Sequence, residues 1–405
     1  MKWLNDKVCA WWASFVGVLC AFLVAGCGGG PKILGYDAYD TDDVEKWVFD
    51  TSTKDESRGD DSDGSFVDTS YDWSSEMPDT TAPSDEDILD DTQAPLLPYE
   101  FIPDRQYRDA LFSVLSQAKE EVLMLELEFY SDKGDPATVL DRLKLLASSG
   151  VMVSVLVEQD VKENLATVQA LKGGEADARL DNSKISLHTK LVVVDGKVAL
   201  VGSTNISNAS LLYNHEANYL ITDPDAVTAI RQYALNVLEN ENRPYPIGFS
   251  GSGDVIPFSD GEYTDVVMPN IEGAQEKVYL VMYDFNTSAE PAYTIAQKLI
   301  DARKRGVDVK VLLERSNFDQ SLTRRNQEAM SLLCKGGIPT KFDSADVTTH
   351  AKLLITERVV VVYSGNFNQA GLEENHETGV IVPYDEKAVI YFEGLFQSAG
   401  SECTM

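Results

Sequence analysis

The sequence predicts an α/β protein built from two copies of one unit. Three observations carry that reading. Apolar, strand-like runs alternate with amphipathic helical segments. Long stretches of the first copy recur in the second: EVLMLELEFY (121–130) returns as KVYLVMYDFN (277–286), and GVMVSVLVEQ (150–159) as GVDVKVLLER (306–315). The chain has only four histidines in 405 residues, and they fall at matching places, His188 with His350 and His215 with His376. An internal repeat of this length constrains the fold before anything else does.

The chain opens on Lys2 and Lys7, followed by an apolar run over 8–26 that ends VAGC at 24–27. A basic start, a short apolar core and small residues describe a secretory signal over 1–26. The last four residues resemble a bacterial lipobox, which implies cleavage before Cys27 and lipidation of its thiol; the alternative is an uncleaved membrane helix. The expected location is the bacterial cell envelope (periplasm, outer membrane or cell surface), held by a lipid anchor. From 28 to 95 there are 20 acidic against four basic residues, a net of −16, with no apolar periodicity. Such a stretch cannot bury enough to offset its ordering entropy, so 27–95 reads as a disordered acidic tether. Of the total of −32, residues from 96 on carry −17 once the +1 of the signal is counted. That balance argues against nucleic acid as a partner and, less strongly, against anionic membrane surfaces. With Cys9 and Cys20 in the signal, Cys334 and Cys403 remain; spacing leaves their pairing open.

The first unit, 96–240, begins with a helix over 104–120 and a strand over 122–129. A helix over 137–148 stops at Gly150 and feeds a strand over 151–157, an order that implies a parallel crossover. A helix near 164–171, a hairpin, and a strand bearing Asn214 and Glu216 follow. Asp223-Pro224 then starts a helix to about 239, a capping residue followed by proline in the first turn. Residues 241–261 are rich in Pro and Gly and read as a connection. The second unit, 262–405, repeats the plan: helix 262–276, strand 278–285, helix 292–304, strand 307–313, helix near 321–334, a second hairpin, and a last helix from Asp385.

The first hairpin reads HTKLVVVDGKVALVGSTN from His188. Apolar runs joined by Asp195-Gly196 predict a two-residue turn. Val194 then faces Lys197, His188 faces Ser203, and Lys190 faces Val201. His188, Lys190, Ser203 and Asn205 share one side at the open end. Asp195, about 23 Å from His188 along the strand, should shape the turn and not the chemistry. In the second copy Glu357 replaces the aspartate, and SGNFN (364–368) replaces the Gly-Ser-x-Asn segment. One extra residue, a bulge between Glu357 and Gly365, is needed to set Asn366 opposite His350 with Asn368 beyond it.

H-x-K-x4-D-x6-G-S-x-N followed by N-x-E resembles the signature of the phospholipase D superfamily. His188, Lys190, Asp195, Gly202, Ser203, Asn205, Asn214 and Glu216 match it in full, and the resemblance covers about 96–405 in two copies. It implies two mixed sheets flanked by helices about a pseudo-twofold axis, and phosphodiester chemistry through a phosphohistidine, with no cofactor and no metal. One imidazole attacks phosphorus while the other exchanges a proton with the leaving or entering alcohol. The intact first motif assigns nucleophile to His188 and acid/base to His350. Lys190, Lys352, Asn205 and Asn368 hold the non-bridging oxygens, with Ser203 and Asn366 in support. Glu216 and Glu377 orient the histidines; Asp195 and Glu357 are structural. His215 and His376 read as structural residues, and Glu128 and Asp284 as lining the cleft. The expected substrate is a phospholipid headgroup and the expected state a monomer. The other readings are a cardiolipin-synthase-like phosphatidyltransferase, a secreted metal-independent endonuclease, and a binding protein with a decayed site.

Overall fold

The computed structural model describes residues 97–249, 253–400 and 403. The expected signal, Cys27 and the tether lie outside the described residues. The first copy supplies strands β1 (Tyr99–Phe101), β2 (Glu121–Glu126), β3 (Met152–Val157), β4 (Asp177–Leu180), β5 (Lys190–Val194), β6 (Val198–Gly202) and β7 (Asn218–Ile221). The second supplies β8 (Ile256–Ser259), β9 (Lys277–Met282), β10 (Asp308–Leu313), β11 (Thr340–Phe342), β12 (Leu353–Thr356), β13 (Val359–Tyr363) and β14 (Thr378–Pro383). The sheets run β1-β7-β6-β5-β2-β3-β4 and β11-β10-β9-β12-β13-β14-β8, the same order strand for strand. Within each, the β2-β3-β4 and β9-β10-β11 ladders are parallel and the others antiparallel, so both sheets are mixed.

Parallel neighbours need a crossover. Helix α1 (Gln106–Gln117) leads into β2, α2 (Gly134–Ser148) links β2 to β3, and α3 (Asn164–Lys172) links β3 to β4. The short α4 (Asn208–Leu212) follows β6, and α5 (Pro224–Glu239) closes the first copy. Helices α6 (Tyr263–Gly273), α7 (Glu290–Lys304), α8 (Gln320–Lys335) and α9 (Glu386–Ser398) repeat the plan. Local chemistry fixes the ends. Asp223 accepts from the Ala226 N–H and Asp385 from the Lys387 N–H. Gly150 and Gly306, just past α2 and α7, take the positive φ that ends a helix cheaply only at glycine. A disulfide joins Cys334 of α8 to Cys403.

Side chains alternate along the strands. Leu123 and Leu125 face one way, into a core shared with Val281, Leu353, Ile355 and Val362 of the other sheet, with α5 and α9 packed into it. Val122 and Met124 face the other way, onto α1 and α2. The apolar layer between the sheets is what holds the two copies together.

Three sequence expectations need correction here. Strand β8 lies inside the stretch read as a connection and pairs with β14; like β1, β4 and β11 it spans only three or four residues, too few for a periodic signal. Asn214 and Glu216 precede β7 instead of lying on it. The hairpin registers are exchanged. Val194 pairs with Val198, so the first turn carries one residue more than expected. Ile355 pairs with Val360 and Leu353 with Val362, so the second turn is the tight one. The ladder continues regularly from Tyr363 N–H to the Lys352 carbonyl, without the bulge.

Candidate active site

Both histidines sit just before the first strand of their hairpins and are fixed by main-chain bonds to the other copy. The His188 N–H donates to the His376 carbonyl at 3.0 Å, and the His350 N–H to the His215 carbonyl at 2.9 Å. The rings follow the same exchange. His188 Nδ1 lies 2.9 and 3.0 Å from the two oxygens of Glu377. His350 Nδ1 lies 3.1 and 3.2 Å from those of Glu216. Each copy thus supplies the carboxylate that orients the other copy's imidazole, the reciprocity a twofold contact produces.

The carboxylates are themselves held. Ser203 Oγ donates to Glu216 at 2.5 Å, and Ser364 Oγ to Glu377 at 2.5 Å. Asn214 and Asn375 donate to the remaining oxygens. Ser203, expected against phosphate, therefore positions a glutamate. The lysine ammonium groups sit on their own motif's backbone: Lys190 Nζ on the His188 carbonyl at 2.5 Å, Lys352 Nζ on the His350 carbonyl at 2.6 Å. Both are almost wholly buried.

Matching the copies settles the asparagines. Ile206 N–H bonds the Glu128 carbonyl as Phe367 N–H bonds that of Asp284, so Asn205 corresponds to Asn366. The side-chain oxygens of both are buried and have no partner. Asn368 corresponds instead to Ser207. It accepts from the Gly371 N–H, as Ser207 accepts from Ser210, and donates to Asp284. The position matching Asn205 is therefore Asn366 and not Asn368, which was expected there.

Asp195 accepts from the N–H groups of Lys119, Glu120 and Glu121. Glu357 does the same for Gln275, Glu276 and Lys277. Both are structural, and the longer glutamate side chain spans the distance from a turn one residue shorter. His376 is fully buried, with Nδ1 on Asp260 at 2.8 Å and Nε2 on the Glu241 carbonyl at 2.9 Å. His215 bonds Asp104 at 3.3 Å and lines an open groove with Arg105 and Tyr213.

Burial pulls both catalytic-type imidazoles down; Glu377 opposes this at His188, and Lys352 adds to it at His350, which falls to about 4. Burial and Lys190 bring Lys352 down to about 7. Burial pushes Glu216 and Glu377 up, but the facing histidines and lysines outweigh it and hold both below the usual carboxylate range. Two further neighbours are absent from the site expected from the motifs. Tyr283 packs edge-on against His350 at 4.8 Å with Lys352 Nζ over its ring. Glu126, facing Lys190 across β2–β5, is buried with neither oxygen bonded. Its charged residue type inside a strand was the available signal.

A family model described as "Cardiolipin synthase, PLD-like domain" matches residues 111–238 and 267–399. "Cardiolipin synthase 2" of Staphylococcus epidermidis is 26% identical over 165 residues, 38% of this chain and 32% of that protein. "Phospholipase D" of Rickettsia bellii is 30% identical over 131 residues, 32% of this chain and 60% of its own length. The chain thus spans about a third to three-fifths of the length of these relatives. In fold it is similar to the crystal structure of phosphatidylserine synthase from Haemophilus influenzae, with a TM-score of 0.58 at 15% identity over 75% of this chain and 89% of that one. Two matched segments spanning well over half the chain, on two sheets of one strand order, make it a member of the phospholipase D-like family.

Proposed function

We propose that this chain cleaves or exchanges phosphodiesters of phospholipids through a phosphohistidine. The observation that carries the reading is the crossed pair of imidazoles, each with Nδ1 on a buried glutamate of the other copy. That contact leaves Nε2 of each ring for chemistry and fixes its tautomer. One Nε2 attacks phosphorus as the bond to the leaving oxygen breaks; the other ring gives that oxygen its proton. The second ring then takes a proton from water or an alcohol, whose oxygen displaces the first. Lys190 and Lys352, with Asn205 and Asn366, surround the position where charge on the non-bridging oxygens grows.

Transfer to a second lipid alcohol is the other reading. The cardiolipin-synthase description of the matching family model favours it. Among the described residues, no helix is long and apolar enough to cross a membrane. The VAGC segment and acidic stretch support a lipid-anchored envelope protein, with the tether holding the site near its substrate.

Purified protein in EDTA should release headgroup from phosphatidylcholine or phosphatidylglycerol vesicles, or form cardiolipin from the latter. His188→Ala and His350→Ala should each abolish turnover. Nicking of plasmid DNA without lipid turnover would replace lipid by nucleic acid as substrate; activity retained in either variant would refute the two-histidine mechanism.

A further inference from the structure

The copies match in backbone but not in the charges behind their lysines. In the first, Glu126 stands opposite Lys190 in the β2–β5 register, and Glu128 follows it. In the second, the continuing β9–β12 register sets Met282 opposite Lys352, and Asp284 is already paired with Arg325 Nε at 2.9 Å. The adjacent asparagines identify the place of that arginine in the first copy. Asn164 accepts from the Phe129 N–H as Asn326 accepts from that of Phe285, so Glu163 stands where Arg325 does. Among the described residues no arginine or lysine forms an ion pair with Glu128. Two carboxyl groups without a guanidinium back one site lysine; a thioether and a neutralised carboxylate back the other.

We infer that this asymmetry divides the labour, with His350 as nucleophile and His188 as the proton donor, the reverse of what the intact first motif suggests. The assignment rests on the phosphohistidine reading. A general acid must hold its proton before the leaving group departs, whereas a nucleophile must be free of one. His188 faces Glu377, Lys190 and Lys352; Glu126 and Glu128, with Glu377 and Glu216, offset the Lys190 charge. Burial raises the pKa of both carboxyl groups, Glu126 the further, and at Glu128 the Lys190 charge and hydrogen bonds from Tyr130 and Asn205 oppose the rise. His350 faces Glu216, Lys352 and Lys190; Glu216 and Glu377 offset the Lys352 charge as they do that of Lys190, and the difference lies behind the lysine, where Asp284, already held by Arg325, and the methionine stand in place of Glu128 and Glu126. The potential at His350 is the more positive, and its imidazole is the one kept neutral.

In the first step the Nε2 lone pair of His350 forms the P–N bond, the P–O bond to the leaving alcohol breaks, and that oxygen takes the Nε2 proton of His188. In the second, His188 accepts a proton from water as its oxygen bonds phosphorus, and the P–N electron pair returns to His350. A 4-nitrophenyl ester of phosphatidic acid separates the roles, because nitrophenolate leaves without a proton. With it, His188→Ala should release nitrophenolate in one burst equal to the enzyme and carry the phosphatidyl adduct on His350; His350→Ala should give neither. Acid-quenched wild type, mapped by peptide mass spectrometry, should carry the adduct on His350 as well. An adduct on His188 overturns the assignment alone. A wild type that releases no nitrophenolate overturns the phosphodiesterase reading and the assignment with it.

Glu128 acts on His188 through Lys190, as a positioning residue, so its readout is the pH profile. Removing its charge in Glu128→Gln should lower the pKa of the acid and move the high-pH limb of kcat/KM down by about one unit, leaving the low-pH limb in place. Arg325→Gln, which frees Asp284, should move the low-pH limb upward. Either variant moving the opposite limb contradicts the division.

Discussion

Asn366 and Asn368 lie two residues apart, and the structure gives them unlike tasks. Asn366 has a buried side-chain oxygen without a partner and matches Asn205. Asn368 caps the turn at Gly371 through a 2.8 Å bond and reaches Asp284 at 3.1 Å. The Asn366 amide nitrogen, and not that oxygen, is the group able to donate to a non-bridging oxygen, so Asn366→Ala should act on the transition state and not on the fold. Losing one preorganised polar group at developing charge costs about 10²–10³ in kcat, or about 3–4 kcal/mol, with the melting temperature nearly unchanged. Asn368→Ala should act on the fold. Losing a capping side chain costs about 1 kcal/mol, which lowers Tm by about 2–4 °C in a unit of this size. Its effect on kcat should stay below about tenfold, because Arg325 still holds Asp284. Asn368→Ser should recover the stability, since Ser207 does the same task in the first copy. Steady-state turnover of a phosphodiester, run beside thermal unfolding of the same preparations, reads both effects. If Asn368→Ala loses turnover at unchanged Tm, while Asn366→Ala is active, the matching of the copies is wrong.

Two further expectations concern stability. Glu357→Asp should lower the denaturant midpoint by an amount equal to about 1 kcal/mol, because the shorter side chain leaves the tight turn out of reach of the amides at 275–277; an unchanged midpoint would show that the extra methylene is idle. At His376, burial opposes the charged form, but the Asp260 carboxylate and the Glu241 carbonyl raise the pKa above its ordinary value. The stability this pair contributes is fully present below about pH 6.5, the ordinary histidine value, and is lost as pH climbs through the raised one. The stability gap between wild type and His376→Gln should narrow across that window, and a gap that widens with pH would refute the pairing.

The duplication, the alternation of strands and helices, and the identity of the paired histidines, lysines and glutamates were all legible in the chain, since each is a pattern of residue types at fixed spacing. The registers of the two hairpins are the reverse of those expected. His188 and His350 are 162 apart, yet His215 and His376 are 161 apart, so one residue must be lost in the second copy between those points. Asp-Gly suggests the tighter turn for the first copy, whereas the strand pairing places the lost residue in the turn of the second. A one-residue slip exchanges the faces of a strand, and Asn368 was accordingly credited with the place of Asn366. The neutral partner opposite Lys352 and the open pairing of Cys334 with Cys403 needed coordinates, because both depend on neighbours brought together from distant parts of the chain.

The crossing of the glutamates explains which departures from the motif the second copy tolerates. A carboxylate that orients an imidazole across a junction works only if both segments are fixed against each other. Here they are tied by main-chain bonds at 188–376 and 215–350, not by the hairpins. The turn can therefore change length, and aspartate can become glutamate, at the far end of the strands without moving the ring nitrogens. A lost glutamate or serine at the junction has no such slack. It would disable the histidine of the opposite copy, so neither copy can drift independently at those positions. Conversely, among the described residues no hydrogen bond or ion pair ties the groups behind the lysines to the other copy, and it is there that Met282 takes the place of Glu126 in the matched strands and Arg325 that of Glu163.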